Sequence, residues 1–253
     1  MKTIARLTTK NFWIMAVAAL LVAAPQSAYA LSAVAQQIQG DVMVRKAAGE
    51  WQAVNQETTL VSGDSIKTGK GTCSLVYSDQ ATFALEENTS LTVEEAAGAQ
   101  DLHLLLGKIK GKVNHEKATQ PFEVVTPAAV ATVRGTEVDF GFNDQGQLTV
   151  DLHNGKIQVV NDEADMKLDL DGKKSITVKY DKEANVIRIK NECGSDGIVK
   201  FNVLGSEYAE SPCSEREVSL ATSENGGGAP TTNDTPVNPE NPDEGRRTTD
   251  SIK

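Results

Sequence analysis

One strand-like segment near the middle of the chain changes its apolar spacing partway, and this change constrains the fold most strongly. Ala131 and Val133 occupy odd positions, whereas Val138 and Phe140 occupy even ones. Because side chains alternate between the two faces of a strand, a strand with one buried face can change parity only at a bulge or a corner. Gly135 lies at the change and lacks the Cβ that would oppose a bend. The segment therefore predicts two short buried strands that are joined at a special backbone site.

The same two-residue spacing recurs from Gln36 to about Phe201, in short apolar segments separated by turn residues. Alternation with this period is typical of half-buried strands, and only residues 89–101 are ambiguous with a helix. Strands at roughly 8–12-residue spacing indicate an all-β protein, either a β-solenoid-like roll or a sandwich. Leu102, Leu104 and Leu106 are expected on one buried face, and Trp51 in the core.

Turn residues mark the strand ends, and Asn154-Gly155 is the clearest short signal among them. It lies between the apolar residues Leu152 and Ile157. A type I′ turn needs a positive φ at both central residues, which Asn-Gly supplies. This pattern predicts a β-hairpin at Asn154-Gly155.

The two ends of the chain differ in composition from the middle. Residues 1–30 have a basic start, an apolar run and an Ala28-Tyr29-Ala30 cleavage site, and so resemble a cleavable secretory signal. Residues 221–253 are rich in Asn, Pro and Thr with few apolar residues, and predict a disordered tail. We expect export to the periplasm or beyond it to the extracellular space, with no stable membrane insertion after cleavage.

The charge of the chain argues against nucleic acid as a partner. The formal net charge is −10, and loss of the three basic residues within 1–30 would leave −13. An acidic surface of this size repels a phosphate backbone. Basic partners are favoured instead.

Three cysteines are present, which leaves one unpaired if a disulfide forms. Cys193 and Cys213 lie close together in sequence, each beside turn residues, and are the candidate disulfide in an oxidising compartment. Cys73 shares a strand face with Leu75 and Tyr77 and is expected to be a small core residue. A reactive thiol is the alternative for Cys73, and the odd number of cysteines also leaves an intermolecular bridge open.

Several ordered segments resemble the FecR protein domain. They are Gly40–Val44, Trp51, Leu60–Gly69 with Gly63 and Asp64, Cys73–Asp79, Leu85–Thr89, Thr126–Thr136 with Val138 and Phe140, and Asn154–Val159. The resemblance covers roughly residues 36–160. The order and spacing of these segments together are more specific for the family than any one segment alone.

The resemblance implies a non-enzymatic, all-β periplasmic module. In iron-uptake regulators such modules relay a signal from an outer-membrane transporter to a sigma factor, behind a cytoplasmic anti-sigma segment and a membrane span. This chain has a cleavable signal in that place. It is similar to the stand-alone exported members, and the division expected is residues 1–30 as signal, 31–160 as FecR-like domain, 161–220 as β-rich extension and 221–253 as tail.

No residue pattern indicates catalysis, a cofactor or a metal. His103, His115 and His153 lack metal-ligand spacing, and no Ser or Cys has the context of an activated nucleophile. The residues singled out as a structural motif are Gly63, Asp64, Thr126, Pro127, Arg134, Gly135, Thr136 and Glu137.

Arg134 has two interpretations. The favoured one pairs it with Glu137, Asp139 or free carbonyls at the corner. The alternative is contact with an anion or a partner.

The expected function is protein–protein interaction in envelope signalling or assembly, without catalysis. The alternatives are a glycan- or ligand-binding β module and a divergent transmembrane signalling regulator of the iron-uptake type. The low aromatic content, 5%, disfavours the glycan module.

Overall fold

The structure is a computed structural model that describes residues 32–220, apart from residues 48, 79, 97, 98 and 119. The predicted signal (1–30) and tail (221–253) lie outside the described residues. The all-β prediction is confirmed: the described residues form sixteen strands and no helix. No helix in this part of the chain is therefore long and apolar enough to cross a membrane.

The strands follow one another with short turns. The first eight are β1 (Ala33–Arg45), β2 (Trp51–Ala53), β3 (Thr59–Leu60), β4 (Ser65–Tyr77), β5 (Ala81–Leu85), β6 (Ser90–Ala96), β7 (Ala99–Val113) and β8 (Phe122–Val125). The last eight are β9 (Val130–Phe142), β10 (Gln147–Asn161), β11 (Met166–Asp171), β12 (Lys174–Asp181), β13 (Val186–Asn191), β14 (Val199–Val203), β15 (Ser206–Glu210) and β16 (Ser214–Ser219). Within the segment that was ambiguous in the sequence, residues 90–96 and 99–101 are strand in β6 and β7.

Five of these strands, β1, β4, β7, β9 and β10, have 13 to 15 residues and belong to two layers. Layer A contains β3, β5, β12, β13 and β16 together with residues 33–36, 72–77, 107–113, 137–142 and 147–152. Layer B contains β2, β6, β8, β11, β14 and β15 together with residues 42–45, 65–68, 100–106, 130–134 and 156–161. Each long strand thus starts in one layer and ends in the other.

The two layers face each other across one core. Phe122 of layer B packs edge-on against Tyr77 of layer A, with ring centroids 5.1 Å apart, and lies 5.3 Å from Phe83. All three side chains are fully buried within one apolar cluster. The fold is therefore a two-layered sandwich of bent strands. Strands β11–β16 continue both layers, so residues 161–220 share this core.

Glycines lie where the long strands change layer. In β9 the buried positions are odd up to Val133 and even from Thr136, and Gly135 between them has φ +66°. In β10 the buried positions change from even to odd across Gly155, whose φ is +100°. The register between the two strands shifts on both sides of Asn154, as a pair of bulges requires.

The hairpin predicted at Asn154-Gly155 is wrong. Strand β10 runs through both residues without reversing, and Leu152 and Ile157 pair with Val138 and Val133 of β9. Gly155 supplies the left-handed φ of a bulge instead of a turn. The same local preference for positive φ serves either structure, so Asn-Gly alone does not distinguish them.

A second corner joins β4 to β7 through buried threonine hydroxyls. Thr68 Oγ1 donates to Glu86 O (2.6 Å) and accepts from Thr89 N (2.8 Å). Thr89 Oγ1 accepts from Lys108 N (3.0 Å) and donates to Lys108 O (3.1 Å). The turn between β5 and β6 is thereby fastened to the bend of β7 at Gly107.

The Gly107 corner gives a direct stability test. Gly107 has φ +98°, and a Cβ there would lie 2.5 Å from Thr89 Cα. Gly107→Ala should lower the free energy of unfolding by roughly 2–4 kcal/mol, because a left-handed non-glycine residue alone costs about 1–3 kcal/mol. Urea denaturation measures the loss.

Gly146→Ala is the matched control. Gly146 has φ +73°, but nothing lies within 4 Å of its Cβ position. Only the backbone strain, about 1 kcal/mol, should appear there. Equal losses in the two variants would contradict the close approach at Gly107.

Candidate functional site

The motif residues predicted from the sequence lie at three separate places, and each has a structural setting. Gly63 and Asp64 form the turn before β4, Thr126 and Pro127 the turn before β9, and residues 134–137 the corner of β9. The hydrogen bonds and ion pairs of the described residues do not join these three places. The structure does not bring them together as one site.

Asp64 is a buried carboxylate that closes the turn between β3 and β4. Its side chain is 2% exposed and accepts hydrogen bonds from Lys46 Nζ (2.8 Å), Val61 N (2.9 Å) and Ala47 N (3.2 Å). Gly63, with φ +89°, lets the chain turn beside it. A buried carboxylate that accepts several hydrogen bonds has a structural role, because it holds the turn in place.

Thr126 closes the turn that leads into β9. Its Oγ1 donates to Ala129 O (2.8 Å) and accepts from Ala129 N (3.1 Å). Asn161 at the end of β10 donates to Ala128 O (2.7 Å). The Thr-Pro-Ala-Ala segment is thus fixed by its own side chain and by a neighbouring strand.

The partner expected for Arg134 does not occur among the described residues. Arg134 is exposed, and no hydrogen bond or ion pair joins it to Glu137 or Asp139. Its cross-strand neighbour is Lys156, which pairs with Asp171 at 2.9 Å. The side chain points away from the core because the parity change between Val133 and Thr136 places Arg134 on the outer side.

Trp51 was expected in the core, and this expectation is wrong. It is partly exposed on the short strand β2, with Lys67 Nζ 4.3 Å and Arg45 Cζ 5.0 Å from its ring centroid. Such cation–π contacts hold the ring against the outside of layer B. The sequence pattern missed this because β2 has only three residues.

The cysteines and histidines supply no catalytic group that the structure assembles. Cys193 and Cys213 form a disulfide with their Cα atoms 4.4 Å apart. Cys73 is 2% exposed, and burial raises its pKa to about 12, which disfavours a reactive thiolate. In the described residues no group of three or more His, Cys, Asp or Glu side chains could hold a metal ion.

A groove of about 950 Å³ lies on the outside of layer A and was not predicted from the sequence. Its floor is formed by outward-facing residues of β7, β9 and β10, and its ends by the turns 86–88 and 143–147. The lining residues are Thr72, Glu86, Glu87, Asn88, Leu106, Gly107, Lys108, Ile109, Lys110, Asp139, Phe140, Gly141, Phe142, Asn143, Asp144, Gln147, Thr149 and Asp151.

Carboxylates outnumber lysines in this groove. Five Asp and Glu residues and two lysines line it, a net charge of −3. Lys110 Nζ forms an ion pair with Glu86 Oε1 at 2.8 Å, and Lys110 lies opposite Asp139 in the register of β7 and β9. The pKa of Lys110 is raised by its hydrogen bond to Glu86 and by the negative charges of Glu86 and Asp139.

Asp139 and Asp151 form the most acidic part of the floor. They lie directly opposite each other on β9 and β10. His153 Nε2 is 3.4 Å from Asp139, and Ser175 donates a hydrogen bond to Asp151. Like charges at opposite positions destabilise a sheet, so this pair is kept at a cost in stability.

Leu106 is 41% exposed at one end of the groove, contrary to the buried face expected with Leu102 and Leu104. The register between β6 and β7 shifts between Leu104 and Leu106, and the extra residue, Leu105, is 54% exposed. The bulge turns Leu106 outward. Two adjacent leucines are therefore available to a partner.

Residues 64–158 match the model of the FecR protein family, from the turn before β4 to the second half of β10. The predicted resemblance to the FecR protein family is confirmed over these residues. No curated protein matches the sequence at a significant level.

Two crystal structures of a "putative anti-sigma factor" from Parabacteroides distasonis ATCC 8503 are similar to the chain. One has 16% identity and a TM-score of 0.39 over 59% of this chain and 60% of that one. The other has 16% identity and a TM-score of 0.38 over 58% of each chain. The chain thus spans less than two thirds of the length of these solved proteins.

The Asp64 turn is testable by substitution. Asp64→Ala leaves Lys46 and two backbone donors without their acceptor, and should lower the free energy of unfolding by roughly 2–4 kcal/mol. Asp64→Asn, which retains one acceptor oxygen, should lose less in the same urea titration. A loss of less than about 0.5 kcal/mol for Asp64→Ala lies in the range of ordinary surface substitutions. Such a small loss would show that Asp64 does not stabilise the turn.

Arg134 is exposed, so its substitution should affect stability far less than that of the buried Asp64. Arg134→Ala should change the free energy of unfolding by no more than about 0.5 kcal/mol, because the side chain is exposed and fills no buried site. Thermal unfolding of the two proteins side by side measures this. A loss of several kcal/mol would restore the corner pairing that the sequence suggested.

Proposed function

We propose that the chain is an exported, periplasmic, non-catalytic module that binds a protein partner in envelope signalling. The observation that carries this proposal is the outer groove, which combines the exposed Leu106 with excess carboxylates on a FecR domain. An accessible apolar contact inside a polar rim is the usual composition of a protein interface.

Three further features support the proposal. The first thirty residues have the pattern of a cleavable signal. The disulfide Cys193–Cys213 suits an oxidising compartment. Among the described residues that line the groove there is no Ser, Cys or His to serve as a nucleophile or base.

The β16 edge of layer A offers a less favourable route for a partner. Strand β16 carries Glu215, Arg216 and Glu217, and charged side chains at an edge oppose the addition of another strand. Contact through the groove therefore fits the charge distribution better than β-augmentation.

Export and interaction can be tested together in the native cell. The chain, tagged at its C-terminus, should be recovered from the periplasm with Leu31 as its first residue, as mass spectrometry of the intact protein would show. A membrane-permeable amine cross-linker should give one discrete adduct with another protein.

The control is the same chain without residues 2–30, which should stay in the cytoplasm and give no such adduct. Recovery of the full-length chain from the inner membrane would contradict the exported form. Absence of any specific adduct with the exported chain would contradict the interaction role.

A further inference from the structure

Gly141 lies at the centre of the groove floor, and the backbone does not require a glycine there. It pairs with Lys108 on β7 and with Thr149 on β10, away from the bulges of β9. Its φ is outside the left-handed region, and a Cβ would lie 3.6 Å from Lys108 Cγ and 3.8 Å from Thr149 Cβ, ordinary contact distances. Gly107 and Gly135, by contrast, lie at corners with positive φ, where any side chain would be strained.

A glycine inside a strand weakens it by roughly 0.5–1 kcal/mol relative to Ala. Such a residue, when no bulge or bend explains it, marks a place where another chain or ligand approaches closely. The missing side chain of Gly141 leaves the floor open between Lys108 and Thr149. We take this opening as evidence for an occupant that is independent of the charges.

The walls of the groove are held in place by hydrogen bonds. Asn143 Oδ1 accepts from Gln145 N (3.1 Å) and Gln147 N (3.0 Å), which fixes one end. Thr68 and Thr89 fix the turn at the other end. A preformed site loses little entropy when it binds.

The chemistry of the lining selects the occupant. The net charge of −3 favours a basic segment, and Leu106 offers an apolar contact at one end. The volume of about 950 Å³ lies within the range of roughly 300–1,000 Å³ for small-molecule sites and also admits a few residues of an extended chain, and the charge decides for the basic segment.

We propose that this groove binds an extended basic segment of the protein partner, with its backbone passing over Gly141. An apolar side chain of the segment lies against Leu106, and its Lys or Arg side chains point toward Asp139 and Asp151. The inference rests on the proposed interaction function and names the class of partner surface. Charge complementarity also predicts that binding weakens as salt is added.

The test uses the exported chain and two labelled synthetic decapeptides, one alternating Arg with Leu and the other alternating Glu with Leu. Fluorescence anisotropy should show binding of the basic peptide, weaker at 300 mM than at 50 mM salt, and no binding of the acidic one. Equal binding of the two peptides would overturn the proposal.

Gly141→Val places a side chain on the floor, where the nearest neighbours of its Cβ are side-chain atoms at ordinary contact distances, and should weaken binding of the basic peptide at least tenfold. Its melting temperature should stay equal to that of the wild type or rise, since Val favours a strand. A folded Gly141→Val protein that binds the basic peptide like the wild type would overturn the proposal.

A pair of charge variants separates the groove from the acidic surface as a whole. Asp139→Asn with Asp151→Asn should weaken binding at least tenfold. Glu183→Gln with Glu215→Gln, an equal charge change at exposed positions outside the groove lining, should leave the affinity within twofold. Equal weakening by both pairs would show non-specific attraction and contradict the groove.

The cross-linking experiment keeps this inference distinct from the proposed function. If Gly141→Val abolishes the adduct with the cellular partner, the groove is the contact. If the adduct persists in full, the interaction function stands and the groove proposal fails.

Discussion

The structure depends on a change of buried face within single strands. Each of the five long strands has apolar residues on one parity in one layer and on the other parity in the next. A strand meets this requirement only where the backbone bends, and the bends occur at residues such as Gly107, Gly135 and Gly155, all with positive φ. Because both layers share these strands, they form around one core and not as independent sheets.

The candidate site is a consequence of the same constraint. The bulge at Leu105 turns Leu106 outward, and the corner at Gly107 receives the Thr89 turn that walls the groove. Beyond this corner the outward face of layer A carries Lys110, Asp139 and Asp151 in one cross-strand row. The bend that closes the core thus also shapes the outer surface.

Much of the fold follows from the sequence, because alternation is a local signal. Two-residue spacing predicted the strands, and the parity change between Val133 and Val138 pointed to the Gly135 corner. Asn154-Gly155 misled because a bulge and a turn demand the same backbone conformation there. Leu106 misled because the alternation that buries Leu102 and Leu104 is interrupted by one extra residue.

The groove itself could not be predicted, since its floor joins residues that are distant in sequence. Gly141 shapes the floor only because it has no side chain. The resulting opening becomes visible once the register places Lys108 and Thr149 on either side of it. Asp139 and Asp151 are two of many carboxylates in the chain until the register places them face to face. Arg134 stood out in the sequence as a corner residue, yet its exposure is decided by the parity change beside it.

The most direct test of the bent-strand account is nuclear magnetic resonance of residues 31–253, with cross-strand nuclear Overhauser effects assigned around Gly155. The account predicts contacts between Leu152 and Val138 and between Ile157 and Val133. A contact between Leu152 and Ile157 in their place would show a hairpin at Asn154-Gly155 and contradict the passage of β10 from one layer to the other.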